Sequence, residues 1–428
     1  MRVGIESEPA AGSRAEPAAR TRASERGLDW FVFFIADIQT GFGPFVAVYL
    51  TTHGWTQGDI GLILTIGGLI ALAGQMPGGA LVDAVRSVRW LAALAVIAIG
   101  ASALVLALWP IFLVVVASRV LHAAASCVLG PAIAAISLRL VGHDTLGERI
   151  GRNARFASIG CILAAGAMGL TGHYLSNQAV FLVTAALIVP TLFALRHIRT
   201  NEHGSTVVHA AARPADPGPS LRALLCNRAL LIFAACIVLF HLANAAMLPL
   251  MGGVMATRAS EWATASIAAC MIVPQLVVAA CSPWVGRQAV AWGRRPLLAA
   301  AFAALAVRSA LFAVVTDPYL VIAVQLLDGI SAAVLGVMFP LVVADITRDN
   351  GGFSLGLGIV GVAVGIGASL STTLAGYLVD IIGHAPTFIA LAGVAAIGLV
   401  LVCTLMPETR PDADDPLSED AQVAPAAA

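Results

Sequence analysis

The apolar stretches of this 428-residue chain carry a small set of polar side chains at helical spacing. Arg119 and His122, His241 and Asn244, and Gln325 and Asp328 each lie three residues apart, which puts both members of a pair on one helix face. Asp37 and Gln39 form a fourth set two apart, and Arg308 stands alone. These residue types can bind ions or polar solutes, carry protons, or pair with one another. They do not assemble a reaction centre. The chain has no His-Glu-x-x-His, no nucleophile elbow and no phosphate loop, so neither an enzyme nor a bound cofactor is expected.

The segments that hold these residues are too long and too apolar for a soluble fold. Hydrophobic residues make up 59% of the chain and charged residues 11%. A hydrocarbon core about 30 Å thick needs roughly 20 apolar residues at 1.5 Å each. Twelve segments reach that length: 28–50, 59–82, 90–109, 111–136, 156–175, 178–196, 229–252, 262–285, 297–316, 319–344, 354–379 and 386–406. A charge at the centre of such a span costs about 2.5–3.5 kcal/mol or more, so it must face water, a partner, or both.

The chain is also written twice, with landmarks of the first half recurring about 206 residues later. Pro44 matches Pro249, Gly79 matches Gly286, and Val128-Leu129-Gly130 matches Val334-Leu335-Gly336. Repeated bundles of membrane helices are the pattern of secondary transporters. The expected fold is all-α, with twelve transmembrane helices in two pseudo-symmetric six-helix bundles. The first bundle is placed at 28–199 and the second at 221–407, joined by a polar cytoplasmic linker at 200–220. Residues 1–27 read as a disordered tail, and so do the acidic residues 408–428, where protein partners could bind.

All 24 basic residues are arginine, and alternate loops divide them unevenly. Apart from Arg119 and Arg308 inside spans, only Arg258 falls on the side opposite to the rest. The positive-inside rule then puts both termini and the linker in the cytoplasm, with a bacterial inner membrane or one derived from it as the setting. Net charge is zero, so no basic field points to nucleic acid. The seven cysteines show no Cys-x-x-Cys spacing and read as packing residues.

After the second span the chain reads Gly79-Ala80-Leu81-Val82-Asp83-Ala84-Val85-Arg86-Ser87-Val88-Arg89. This resembles the hallmark loop of the major facilitator superfamily: glycine, three residues, aspartate, a basic residue, then glycine and two basics. Gly79 and Asp83 stand in register, while Ala84 replaces the basic residue and Arg86 the later glycine. The copy after the eighth span keeps Gly286, Gly293, Arg294 and Arg295, and has Val290 at the aspartate. The resemblance covers 28–407 and implies a transporter whose helices one, four, seven and ten line a central cavity, with the loop as a cytoplasmic latch. On physical grounds, Asp83 can accept hydrogen bonds from N–H groups at the start of another helix. Arg86, Arg89, Arg294 and Arg295 either share in that latch or only fix topology.

Two further resemblances bear on substrate. Ser118-Arg119-Val120-Leu121-His122-Ala123 is similar to the fourth-helix motif of the family, with histidine and alanine where glutamine and glycine are usual. The proline-glycine pattern of many drug-proton antiporters is missing from 159–172. The run 29–50, together with Asp345-Ile346-Thr347-Arg348, resembles a bacterial subgroup that includes proteins of siderophore systems and a permease of the magnetosome membrane.

The polar groups are therefore expected to line a substrate pathway: Asp37, Gln39, Arg119, His122, His241, Asn244, Arg308, Gln325 and Asp328. Asp37 and Gln39 are about 200° apart on a straight helix, so both face one cavity only if Gly41-Phe42-Gly43-Pro44 distorts it; otherwise one meets a neighbouring helix. Arg308 and Asp328 lie at similar depth, roughly 12–14 Å below the outer surface, and are expected to pair. That pairing leaves Asp37 as the better proton-carrying carboxylate, since a carboxyl removed from water can carry its proton as a neutral group. Arg119 is then an anion-binding group or a counterion. Asp37, His122, His241 and Asp328 are acceptable metal ligands, although no two share a metal-binding spacing on one helix. The leading expectation is transport of iron or an iron complex as the small-molecule or ion substrate, coupled to protons. The alternatives are export of an organic solute such as a siderophore or drug, and a transporter-derived membrane scaffold.

Overall fold

A computed structural model describes residues 12–41, 44–198, 221–258, 263–348 and 351–410. Among these, every regular element is a helix. The N-terminal half of the sequence gives α1 (Gly12–Gly41), α2 (Pro44–Thr52), α3 (Gln57–Ala84), α4 (Val88–Leu108), α5 (Phe112–Val141), α6 (Leu146–Tyr174), α7 (Asn177–Ala186) and α8 (Ile188–His197). The C-terminal half gives α9 (Leu221–Leu225), α10 (Arg228–Asn244), α11 (Met247–Arg258), α12 (Ala263–Trp292), α13 (Arg294–Val314), α14 (Pro318–Ile346), α15 (Phe353–Ile382) and α16 (His384–Leu405).

Eleven segments among the described residues are long and apolar enough to cross a bilayer. The remaining expected span, 28–50, is divided between α1 and α2, with Phe42 and Gly43 outside the described residues. Pro44, which has no N–H to donate, stands at the first position of α2. Residues 12–27, expected as a tail without structure, are instead the first turns of α1, in keeping with an alanine-rich sequence of high helix propensity. The expected linker at 200–220 and the chain beyond Arg410 lie outside the described residues.

Packing divides the chain into two compact units. One comprises 1–74, 84–145 and 156–217; the other comprises 75–83, 146–155 and 218–428. The units therefore differ from the two halves of the repeat at two places: the end of α3 and the start of α6 pack with the C-terminal half.

In the first unit α4 packs on α5 and α7, and α1 on α8. Phe31, Tyr49 and Phe181 fill its core. The Tyr49 hydroxyl and the Gln178 amide both donate to the Ala107 carbonyl, at 3.1 and 2.9 Å, near the end of α4 where helical donors run out. In the second unit α12 packs on α14, α13 on α14 and α16, and α10 on α15. Edge-to-face pairs Phe240–Phe302 and Phe312–Phe388, with centroids 5.4 and 5.6 Å apart, cement it. Outward-facing Leu69, Trp90, Leu113, Val189 and Ile381 are exposed. Such side chains suit hydrocarbon, which solvates them as well as a protein core would.

Helix starts show why the chain folds where it does. Asp317 accepts from the N–H groups of Tyr319 and Leu320 ahead of Pro318 in α14. Asn227 caps α10 through Leu230, and Ser176 caps α7 through Ala179. Each side chain satisfies donors that the first helical turn leaves without partners.

Candidate functional site

In the first unit the expected polar residues separate. Asp37 is 6% exposed and turns toward α6, where its Oδ1 lies 3.3 Å from the position a Cβ on Gly160 would take. Gln39 is exposed. The pair therefore faces two directions, the outcome expected of a helix that stays regular through both residues. The Asp37 Oδ1 atom is buried with no hydrogen-bond partner among the described residues, a costly state for a carboxylate and an easier one for a neutral acid.

Arg119 lies along α3. Its guanidinium nitrogens are 3.4 and 3.5 Å from where a Cβ on Gly67 would sit, an ordinary contact distance. Arg119 is half-buried. One turn on, His122 Nε2 is 3.4 Å from the Ser126 hydroxyl. The face predicted from the three-residue spacing is thus formed, with a cation, an imidazole and a hydroxyl along one side of α5.

The second unit brings its polar residues together. Arg308 of α13 is 2% exposed, donates Nη1 to the Asn244 Oδ1 of α10 at 2.6 Å, and pairs with Asp328 of α14. The ion pair expected from matched depth is formed, and Asn244 completes a three-helix cluster. The guanidinium also lies over the Phe312 ring, 5.4 Å from its centroid. Burial of this charge is tolerated because each partner compensates it. His241, three residues before Asn244, is half-buried with its Cβ against Gly367 of α15.

Gln325 has a different occupation. It is fully buried, and its Nε2 donates to the Cys270 carbonyl of α12 at 3.1 Å. That carbonyl is the one Pro274 leaves without a donor, because proline lacks the N–H that would bond four residues back. Gln325 therefore repairs a proline break inside a helix interface.

The two loop copies also have different geometry. Asp83, at the end of α3, accepts from the N–H groups of Ser354 and Leu355, at 3.1 and 2.8 Å. These are first-turn donors of α15, where the helix dipole favours an anion. Gly79 permits the approach, since a Cβ there would meet the Ser354 backbone. Gly286 similarly lies against the backbone of Gly147. Arg86 is exposed.

Arg294 and Arg295 bond elsewhere. Arg294 Nε reaches Asp345 at 2.9 Å and Nη1 the Ala289 carbonyl at 2.6 Å, while Arg295 reaches the Cys403 carbonyl. Gly293, at φ 89°, starts α13 in a conformation that favours glycine. Glu408 caps the helix there, accepting from the N–H groups of Arg294 and Arg295 at 2.7 and 3.1 Å. These arginines thus brace the C-terminal half of the sequence, and Glu408, placed by composition in a tail without structure, belongs to the brace.

No three His, Cys, Asp or Glu side chains among the described residues converge as a metal would require. Asp37 and His122 belong to one unit, and His241 and Asp328 to the other. Sequence reasoning missed the roles of Asp345 and Glu408 and the carbonyl that Pro274 frees for Gln325. For the last, a signal existed in the sequence: a proline inside an apolar span, which always frees a carbonyl four residues earlier.

The sequence matches the family described as Major Facilitator Superfamily over residues 30–273 and 242–428. It is 38% identical over 396 residues to an uncharacterized MFS-type transporter of Mycobacterium tuberculosis, found in strains CDC 1551/Oshkosh and ATCC 25618/H37Rv, covering 90% of this chain and 93% of the relative. The fold is similar to the crystal structure of the human organic anion transporter MFSD10 (TETRAN), with a TM-score of 0.68 at 16% identity, covering 89% of this chain and 99% of that one. It is also similar to the proton:xylose symporter XylE bound to 6-bromo-6-deoxy-D-glucose, with a TM-score of 0.67 at 13% identity, covering 93% and 97%.

Proposed function

Because the chain belongs to the major facilitator superfamily and has that family's multi-pass transporter fold, we propose that it moves an anionic small molecule by alternating access, with proton coupling through Asp37. The observation that carries this reading is the difference in burial between the two intramembrane arginines. Arg308 is sealed between Asn244 and Asp328. Arg119 keeps part of its surface exposed, packed against Gly67 and on the same helix face as His122.

A guanidinium on the pathway repels a bare metal cation and attracts a carboxylate or similar anion. Iron would accordingly travel as an anionic complex, and such a complex is the first substrate to test, given the resemblance of 29–50 and 345–348 to iron-associated permeases. An organic anion without metal is the second. In this reading both termini face the cytoplasm of a bacterial inner membrane or a membrane derived from it. The segments 75–83 and 146–155 dock and release as the protein cycles.

A thermal-shift screen of the purified full chain tests the substrate class, because a ligand that binds the folded state raises its melting temperature. Ferric citrate is compared with citrate alone, with a neutral ferric tris-hydroxamate and with neutral sugars. An anionic iron complex should raise Tm, and Arg119→Gln should abolish that rise. Stabilisation by neutral solutes alone would contradict the assignment.

A further inference from the structure

We propose that Arg155 and the backbone carbonyl of Ala279 form a second latch, created by Pro283, which holds segment 146–155 where the second loop copy has lost its aspartate at Val290. Pro283 lies inside α12 and supplies no N–H to the carbonyl four residues earlier, that of Ala279. Arg155 Nε donates to that carbonyl at 2.8 Å. A helix interior normally offers no such acceptor, since each carbonyl is already bonded along the helix. The proline thus makes a docking point out of backbone, and the donor is a cation, whose hydrogen bonds are the stronger kind.

The approach is set by small residues. A Cβ on Gly147 would meet the Gly286 carbonyl, and one on Gly151 would meet Ser282 and Pro283. Two positions four apart on α6 thereby meet two positions four apart on α12 in the reverse direction, and the next turn of α6 brings Arg155 beside Ala279. The repeat shows what this tie replaces. Gly79 corresponds to Gly286 and Gly147 to Ser354, so the Gly79–Ser354 and Gly147–Gly286 contacts are images of each other. Asp83 secures the first through two N–H groups. Its counterpart at the second is Val290, which cannot accept a hydrogen bond. The counterpart of Arg155 at the first is Val362, which cannot donate from a side chain. The first contact is thus tied by an anion on helix N–H groups, and the second by a cation on a freed carbonyl.

The role in a transport cycle rests on the alternating-access reading, but the test needs no substrate, so the two fail separately. Hydrogen–deuterium exchange is measured on the full chain in lipid nanodiscs. In Arg155→Ala, amides of 146–155 should exchange about tenfold faster, the order expected for loss of one charge-assisted hydrogen bond, with 75–83 unchanged. Asp83→Asn should do the reverse. Pro283→Ala returns a helical donor to Ala279, so adding Arg155→Ala to it should accelerate exchange by less than about twofold. Unchanged exchange in Arg155→Ala, or equal acceleration in both backgrounds, overturns the proposal. Should Pro283→Ala not fold, Arg155→Lys, which keeps a cationic donor, should fall between the wild type and Arg155→Ala; equality with Arg155→Ala also overturns it.

Discussion

Gln325 and Pro274 are complementary across two helices: the proline leaves the Cys270 carbonyl without a donor, and the Gln325 amide supplies one at 3.1 Å. Gln325→Leu should destabilise the protein by about 1–3 kcal/mol, because a buried acceptor is left without a partner. Pro274→Ala, which restores the N–H, should remove most of that loss. Thermal unfolding of the wild type, both single variants and the double variant measures the coupling. An undiminished penalty in the Pro274→Ala background would show that Gln325 serves another purpose.

The Arg308–Asp328 pair makes a sharper case. Removing Asp328 leaves a guanidinium only 2% exposed without its counter-charge. Asp328→Leu should therefore cost about 3–5 kcal/mol, whereas Arg308→Met combined with Asp328→Leu should recover most of it, since burying an apolar pair carries no charge desolvation. Chemical denaturation in detergent distinguishes these. A double variant as unstable as Asp328→Leu alone would mean that the pair does more than neutralise itself.

Glycines in α3 should differ by position. A Cβ on Gly79 would meet the Ser354 backbone, while one on Gly61 would meet nothing within 4 Å. Gly79→Ala should loosen 75–83 from α15 and accelerate its amide exchange. Gly61→Ala should leave exchange unchanged and stability equal or raised, by up to about 1 kcal/mol, since alanine is the better helix former. Equal behaviour of the two variants would remove the docking role of Gly79.

Much of the architecture was legible because hydrophobic length and repetition are properties of the sequence itself. Apolar length sufficed for the helical, multi-pass architecture, whereas the packing units depart from the halves of the repeat at 75–83 and 146–155. Matched depth sufficed for Arg308 and Asp328, as rise per residue converts position into distance. Direction around a helix was harder to read. Asp37 and Gln39 turned apart, and Gln325 turned into an interface, because which face a neighbour covers depends on packing that spacing does not encode. The ties of Arg155 and Glu408 join residues 124 and 114 apart or nearly so in sequence, and only folding brings such groups together. Residues 408–410 read as tail because their composition is polar; their order comes from capping α13, a partner that composition cannot reveal.

Coupled transport of an anionic solute is proposed to run through a path that includes Asp37. Its most direct test is uptake of radiolabelled ferric citrate, and of citrate alone, into proteoliposomes of the full chain under an imposed proton gradient, in the wild type and in Asp37→Asn. The wild type should accumulate an anion above equilibrium, and Asp37→Asn should still exchange it across the membrane without accumulating it. Gradient-driven accumulation undiminished in Asp37→Asn, or no movement of either anion by the wild type, would contradict the account.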